Sequence, residues 1–153
     1  AEVDGRAYVS LGSRLVLAGR LQVASVFGTA LEDTAPMFLS YSGGAGTVRG
    51  QPYQSLGVDG PGGRIVGGRS FLGLSAELRA GVTDAISVVG FVDYGQVGED
   101  GFPAIGDPSH AGAGLGVRYG LAGLGALRLD LAVPVSGDTG SNLQVYIGIG
   151  QAF

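Results

Sequence analysis

"ALRLDLAVPV", residues 126–135, reads in pairs. Leu127, Leu129, Leu131, Val133 and Val135 fall on one side of an extended chain, and Ala126, Arg128, Asp130, Ala132 and Pro134 on the other. Successive side chains of a strand point to opposite faces, so this alternation marks a strand with one apolar face. The pattern recurs. In 112–120, Ala113, Leu115, Val117 and Tyr119 oppose Gly112, Gly114, Gly116, Arg118 and Gly120. In 70–79, Leu72, Leu74, Ala76 and Leu78 oppose Phe71, Gly73, Ser75, Glu77 and Arg79. In 15–27, Leu15, Leu17, Leu21, Val23 and Phe27 oppose Arg20 and Gln22. At the start, Val3, Ala7 and Val9 oppose Glu2, Asp4, Arg6 and Tyr8. Residues 86–94 and 143–153 behave likewise, with Ile86, Val88, Val92 and Tyr94, then Val145, Ile147 and Ile149, on the apolar side.

Seven such segments result, each close to the roughly 9–11 residues of a tilted membrane-crossing strand. Their connections alternate between short (11–14, 81–85, 121–125) and long (28–67, 95–111, 136–142). Outer-membrane barrels show this asymmetry, with tight periplasmic turns and longer outer loops. A soluble antiparallel sandwich also alternates. Two features favour the barrel. The polar faces mix Arg, Asp and Glu with many glycines, which suits a curved, partly filled lumen. The apolar faces carry almost no charge, as expected where each charge facing lipid costs roughly 2–4 kcal/mol near the midplane.

Seven is odd, and single-chain bacterial barrels have an even count. An open sheet edge in lipid leaves unsatisfied backbone groups. The remaining strands are therefore expected upstream of Ala1, and the opening "AEVDGRAYVS", without Met, reads as a cut inside a larger protein. The expected fold is an all-β, antiparallel transmembrane barrel, of which residues 1–153 are the C-terminal part.

Composition narrows the function. Of 153 residues, 45% are hydrophobic and 14% charged, the latter well below the roughly 25% of an ordinary soluble domain. Net charge is −4, all nine basic residues are arginine, and no basic run exists to track nucleic acid. Without cysteine there is no disulfide or thiolate metal site. His110 is the one histidine, so no metal centre is expected. Gly112-x-Gly114-x-Gly116 sits inside an alternating strand with no helix after it, unlike a nucleotide loop. "GLSAE" (73–77) lacks the last glycine of a nucleophile elbow. No catalytic triad assembles, so no enzyme and no cofactor are expected. Glu77 with Arg79, and Arg128 with Asp130, are expected to form lumenal charge pairs.

The loop "GGAGTVRGQPYQSLG" (43–57), the strand "GFVDYG" (90–95) and the ending "LRLDLAVPV…LQVYIGIGQAF" occur in that order. Together they resemble the C-terminal half of the barrel of the outer-membrane assembly-factor superfamily, the surface-antigen family that includes BamA and TamA. The ending is more similar to TamA. The resemblance implies a sixteen-stranded barrel preceded by periplasmic POTRA domains, this chain supplying the last seven strands. It also implies that loop 28–67 folds back into the lumen, where Arg49 and Gly50 meet Phe91 and Asp93 in a latch. The residues agree: Phe91 and Asp93 share one face of their strand, and a guanidinium offers a lumenal carboxylate a planar fork of donors. The loop taken alone would equally suit a solvent-exposed arginine. The family motif usually continues with an aromatic residue; Gln51 stands there instead, which leaves the arginine contact but puts the aromatic one in question.

The final strand combines two signals. Val145, Ile147, Ile149 and the terminal Phe153 share one face, Tyr146, Gly148 and Gly150 the other, and a terminal aromatic on an alternating strand has the form of an outer-membrane targeting signal. Glycine weakens a strand, so Gly148 and Gly150 mark a weak lateral seam. The resemblance implies a bacterial outer-membrane factor that helps insert or export outer-membrane proteins and autotransporters. Its partners would be membrane lipid, client proteins and a TamB-like periplasmic protein. The alternatives are a passive pore plugged by loop 28–67 and a two-partner-type secretion pore.

Overall fold

The computed structural model describes residues 1–121, 125–138 and 142–150. Its strands in chain order are β1 (Glu2–Ser10), β2 (Leu15–Ser25), β3 (Val58–Asp59), β4 (Ile65–Val66), β5 (Ser70–Gly81), β6 (Ile86–Gly98), β7 (Ser109–Leu121), β8 (Gly125–Ser136) and β9 (Gln144–Ile149). Seven of them form one antiparallel meander, β1-β2-β5-β6-β7-β8-β9, with β1 and β9 at its edges. β3 and β4 form a small hairpin inside the long connection.

Every expected strand is present, with its faces as the alternation places them, except that β2 ends at Ser25, so that Phe27, expected on its apolar face, lies beyond it and packs on Phe102. Leu74, Leu78, Val88, Val92, Leu129, Leu131 and Val145 are all exposed, while Glu77, Asp93 and Asp130 are buried. Polar groups inside and apolar groups outside invert the arrangement of a soluble sandwich. The outward row carries no charge on β5 to β9, as lipid contact requires.

Boundaries differ at the long-loop end. β6 continues to Gly98 and β7 begins at Ser109, so the connection is 99–108 rather than 95–111. Hydropathy alternation stops near Gly95, but backbone pairing does not: Ser70↔Gly98, Phe71↔Val97 and Gln96↔Ser109 extend the ladders. β9 ends at Ile149, and the expected strand end at Gln151–Phe153, like the turn centre 122–124 and residues 139–141, lies outside the described residues.

The connection between β2 and β5 is folded against the inner face. It is tied down by isolated bridges Ser40↔Gly68 and Ser42↔Leu56. Its apolar residues Leu56 and Val58 pack with Phe71 of β5 and Val97 of β6, flanked by Ala24, Leu31 and Val66. The inner face at the long-loop end of β5 and β6 therefore holds packed protein. A second cluster, Val89, Phe91 and Ala132 with Tyr146 against it, lies deeper.

Candidate functional site

The tip of the loop, Val48–Gln51, is buried against the inner face of β5 to β9. Gly50 holds φ +91, a left-handed value that favours glycine, and a Cβ there would lie 2.5 Å from the carbonyl oxygen of Val133. The tip thus rests directly on the β8 backbone. A methyl group at Gly112 of β7 would collide with the carbonyl oxygen of Arg49. Glycine on both sides is what lets the two backbones approach.

This approach delivers the Arg49 side chain to three carboxylates. Nε donates to Asp93 Oδ2 at 2.7 Å and Nη2 to Asp93 Oδ1 at 2.9 Å, a two-point pair. The Arg49 backbone N–H donates to the same carboxylate at 3.1 Å. Nη1 donates to Glu77 Oε1 at 2.6 Å and to Asp130 Oδ2 at 3.4 Å. The guanidinium carbon stands 3.6 Å from the Phe91 ring centroid, within range for a cation–π contact. Burial opposes the charge on Arg49, but its hydrogen bonds to Asp93 and the neighbouring Glu77 outweigh that and hold its pKa above the ordinary value.

Two more arginines close the network. Arg79 Nε donates to Glu77 Oε2 at 2.8 Å. Arg118 of β7 bonds Asp130 and stands 3.5 Å from Glu77 Oε1. Three guanidinium groups, of Arg49, Arg79 and Arg118, thereby face three carboxylates, of Glu77, Asp93 and Asp130, and the cluster is balanced in charge. Balance matters because a buried charge without a partner is heavily penalised.

Of the two charge pairs read from sequence, Glu77 with Arg79 is present and Arg128 with Asp130 is not. Arg118 and Arg128 are directly opposed across β7 and β8. Arg118 takes Asp130, and Arg128 lies over Gly148 instead, where an added Cβ would come within 2.9 Å of its Nε. The stagger between strands decided this, and spacing within one strand does not contain it.

Gln51, where the family motif usually has an aromatic residue, has a definite place. Its fully buried side-chain Nε2 donates to the carbonyls of Ala111 at 2.7 Å and Ser136 at 3.0 Å. The β7–β8 register shifts beside those residues, between Ala111 and Gly112, opposite Pro134. Proline has no N–H to give to a ladder, and the Gln51 amide supplies donors there. Tyr146 of β9 reaches the same tip: its hydroxyl accepts from the Gly50 N–H at 3.0 Å.

Arg49, Gly50, Phe91, Asp93 and Tyr146 thus meet in one place. Gly148 lies apart, beneath Arg128, and Gly150 stands just past β9 with φ +103. Phe153 is outside the described residues. Sequence reading overlooked Gln51 as a donor and the cluster roles of Arg118 and Asp130. It also set aside the glycine row of β7 as plain strand. That row is where Arg49, Phe91 and Asp130 fit: methyl groups at Gly112, Gly114 and Gly116 would meet each of them in turn. Three glycines at alternate positions on the polar face were the available signal.

His110 is also fully buried, with Nε2 2.8 Å from Ser42 Oγ, which makes it a tie between β7 and the loop.

A seven-strand meander with an apolar outer face and a loop held inside by an ion cluster is a segment of a membrane β-barrel. Residues 1–153 match the model of the Omp85 superfamily domain, and the chain belongs to that superfamily. Among solved structures, it is similar to BamA from Haemophilus ducreyi lacking POTRA domains 1–3, with TM-score 0.69 and 20% identity over 94% of this chain. The match covers 32% of that chain, so the present sequence spans about a third of its relative's length.

Proposed function

We propose that this segment forms the C-terminal part of the barrel of a bacterial outer-membrane assembly or translocation factor of the TamA type. It inserts or exports outer-membrane proteins and autotransporters through a lateral seam, without nucleotide hydrolysis. Superfamily membership and the barrel fold support the general reading. Long connections 26–69, 99–108 and 137–143 face outward and the short turns face the periplasm, where further domains would engage a TamB-like partner. The Arg49 cluster acts as a latch that keeps the long loop in the lumen.

The single observation that carries the lateral seam is the weakness of β9. Among the described residues it has six in its ladder against twelve in β8, and Gly150 at its end holds a positive φ. A short, glycine-interrupted edge strand can exchange its partner for an incoming strand. A passive pore would gain from a long final strand.

The test is a disulfide between residue 148 and the first barrel strand of the full-length protein. Position 148 suits cysteine better than 150, because Gly150 sits at positive φ and the nearest atoms to a Cβ at Gly148 belong to the flexible Arg128 side chain. Oxidation should abolish client assembly while the barrel stays folded by heat-modifiability. Full activity of the cross-linked protein would reject lateral opening and favour a passive or two-partner-type secretion pore.

A further inference from the structure

The loop tip and the last strand share a contact that a simple loop latch does not need. Arg49 has its ion-pair partners on β5, β6 and β8. Gly50 and Gln51, the next two residues, bond instead to Tyr146 of β9. The Gly50 N–H donates to the Tyr146 hydroxyl at 3.0 Å, and that hydroxyl in turn points at the Gln51 carbonyl, 3.4 Å away. Both loop residues are buried, and a buried N–H needs an acceptor. Tyr146 also stands directly across the ladder from Asp130, the carboxylate shared by Arg49 and Arg118. Its ring packs on Val89, Phe91 and Ala132. The other inward positions of β9 offer little: Gly148 has no side chain, and Gln144 marks the start of the strand.

We propose that Tyr146 is a positioning residue that couples the two devices, so that the loop tip holds the final strand in place and release of the Arg49 latch frees β9 along with the loop. The seam then opens as a consequence of loop release. The physical reason is the order of the chain. Arg49 and Gly50 are adjacent, and Gly50 cannot leave the β8 backbone without withdrawing the only backbone N–H that Tyr146 accepts among the described residues. Loss of Arg49 from its cluster removes the anchor that keeps Gly50 there. Among the described residues, β9 is then retained by its six-residue ladder on β8 and by the Gly150 N–H bond to the Ala126 carbonyl.

This inference rests on reading β9 as the seam, but its test needs no client protein, so the two can fail separately. Hydrogen exchange is measured on the full-length protein in lipid nanodiscs, following the peptide that spans residues 143–153. Tyr146→Phe keeps the ring and removes the hydroxyl. It should speed exchange of that peptide roughly five-fold, the order expected for one lost hydrogen bond, while β2 and β5 peptides stay unchanged. Arg49→Ala should accelerate the same peptide at least as much, although its ion-pair partners lie on other strands. Adding Tyr146→Phe to Arg49→Ala should then produce no further change, because the contact is already gone. Unchanged β9 exchange in Arg49→Ala, with the loop shown to be released by protease cleavage, would overturn the proposal. So would full multiplication of the two effects in the double variant. Should Tyr146→Phe fail to assemble, Arg49→Ala alone decides the matter.

Discussion

On the outer face of the sheet, Leu129, Leu131 and Val133 stand exposed. On the inner face of the same strand, Asp130 is fully buried between two arginines, and Ala132 is buried beneath Phe91 and Tyr146. The two faces alternate residue by residue, yet they are held by different physics. Outside, any apolar side chain serves, because lipid has no shape to match. Inside, each buried charge of the Arg49 cluster has a particular partner, and exchange of one leaves another unsatisfied. Ala132 is part of a packed cluster, so an arginine there is excluded by volume.

The largest loss should come from the inner face. Arg49→Ala leaves three carboxylates with two arginines, and breaking a buried pair costs about 3–5 kcal/mol. We expect loop 26–69 to become sensitive to protease in the full-length protein, with a comparable phenotype for Asp93→Ala. The double variant should be little worse than either single one, since residues in contact are not additive. Additive effects in a double-mutant cycle would show that the pair does not carry the latch.

The outer face should come next. Leu129→Arg places a charge in lipid at about 2–4 kcal/mol, whereas Ala126→Arg, on the half-buried inner side near the short turns, should assemble nearly as well as the parent. Heat-modifiability gels read the difference, and equal effects would remove the case for a lipid-facing row.

A smaller effect isolates the glycine row. Gly112→Ala forces the Arg49 backbone away from β7, and overpacking of this kind costs about 1–3 kcal/mol. Loop protease sensitivity should rise without loss of the barrel. No change would mean that the tip is seated elsewhere.

The least disruptive probes test orientation. Cysteines at exposed Asp100 and Asp138 should react with an impermeant thiol reagent on intact cells, and one at exposed Asp84 should not. None should alter stability, because exposed ion pairs such as Arg14–Asp84 contribute little. The reverse labelling pattern would invert the topology.

Much of this molecule could be read from its order of residues. The period of two is local: it needs only neighbours along one strand, and it placed all seven strands and their lipid-facing sides from Val3 to Ile149. Arg49, Phe91 and Asp93 were legible through likeness to a family, with the inward parity of the last two agreeing. Strand ends were less legible, because β6 and β7 keep pairing past the point where hydropathy alternation stops. What only the tertiary structure decided was the stagger of one strand against the next. That stagger sets Glu77, Asp93 and Asp130 around a single guanidinium, gives Asp130 to Arg118 rather than Arg128, opens the register shift that Gln51 fills, and brings the Tyr146 hydroxyl to Gly50. Alternation tells which face a side chain occupies. It carries no information on height along the barrel, and a charged partner is chosen by height, across ladders whose register is fixed by turns, bulges and packing together.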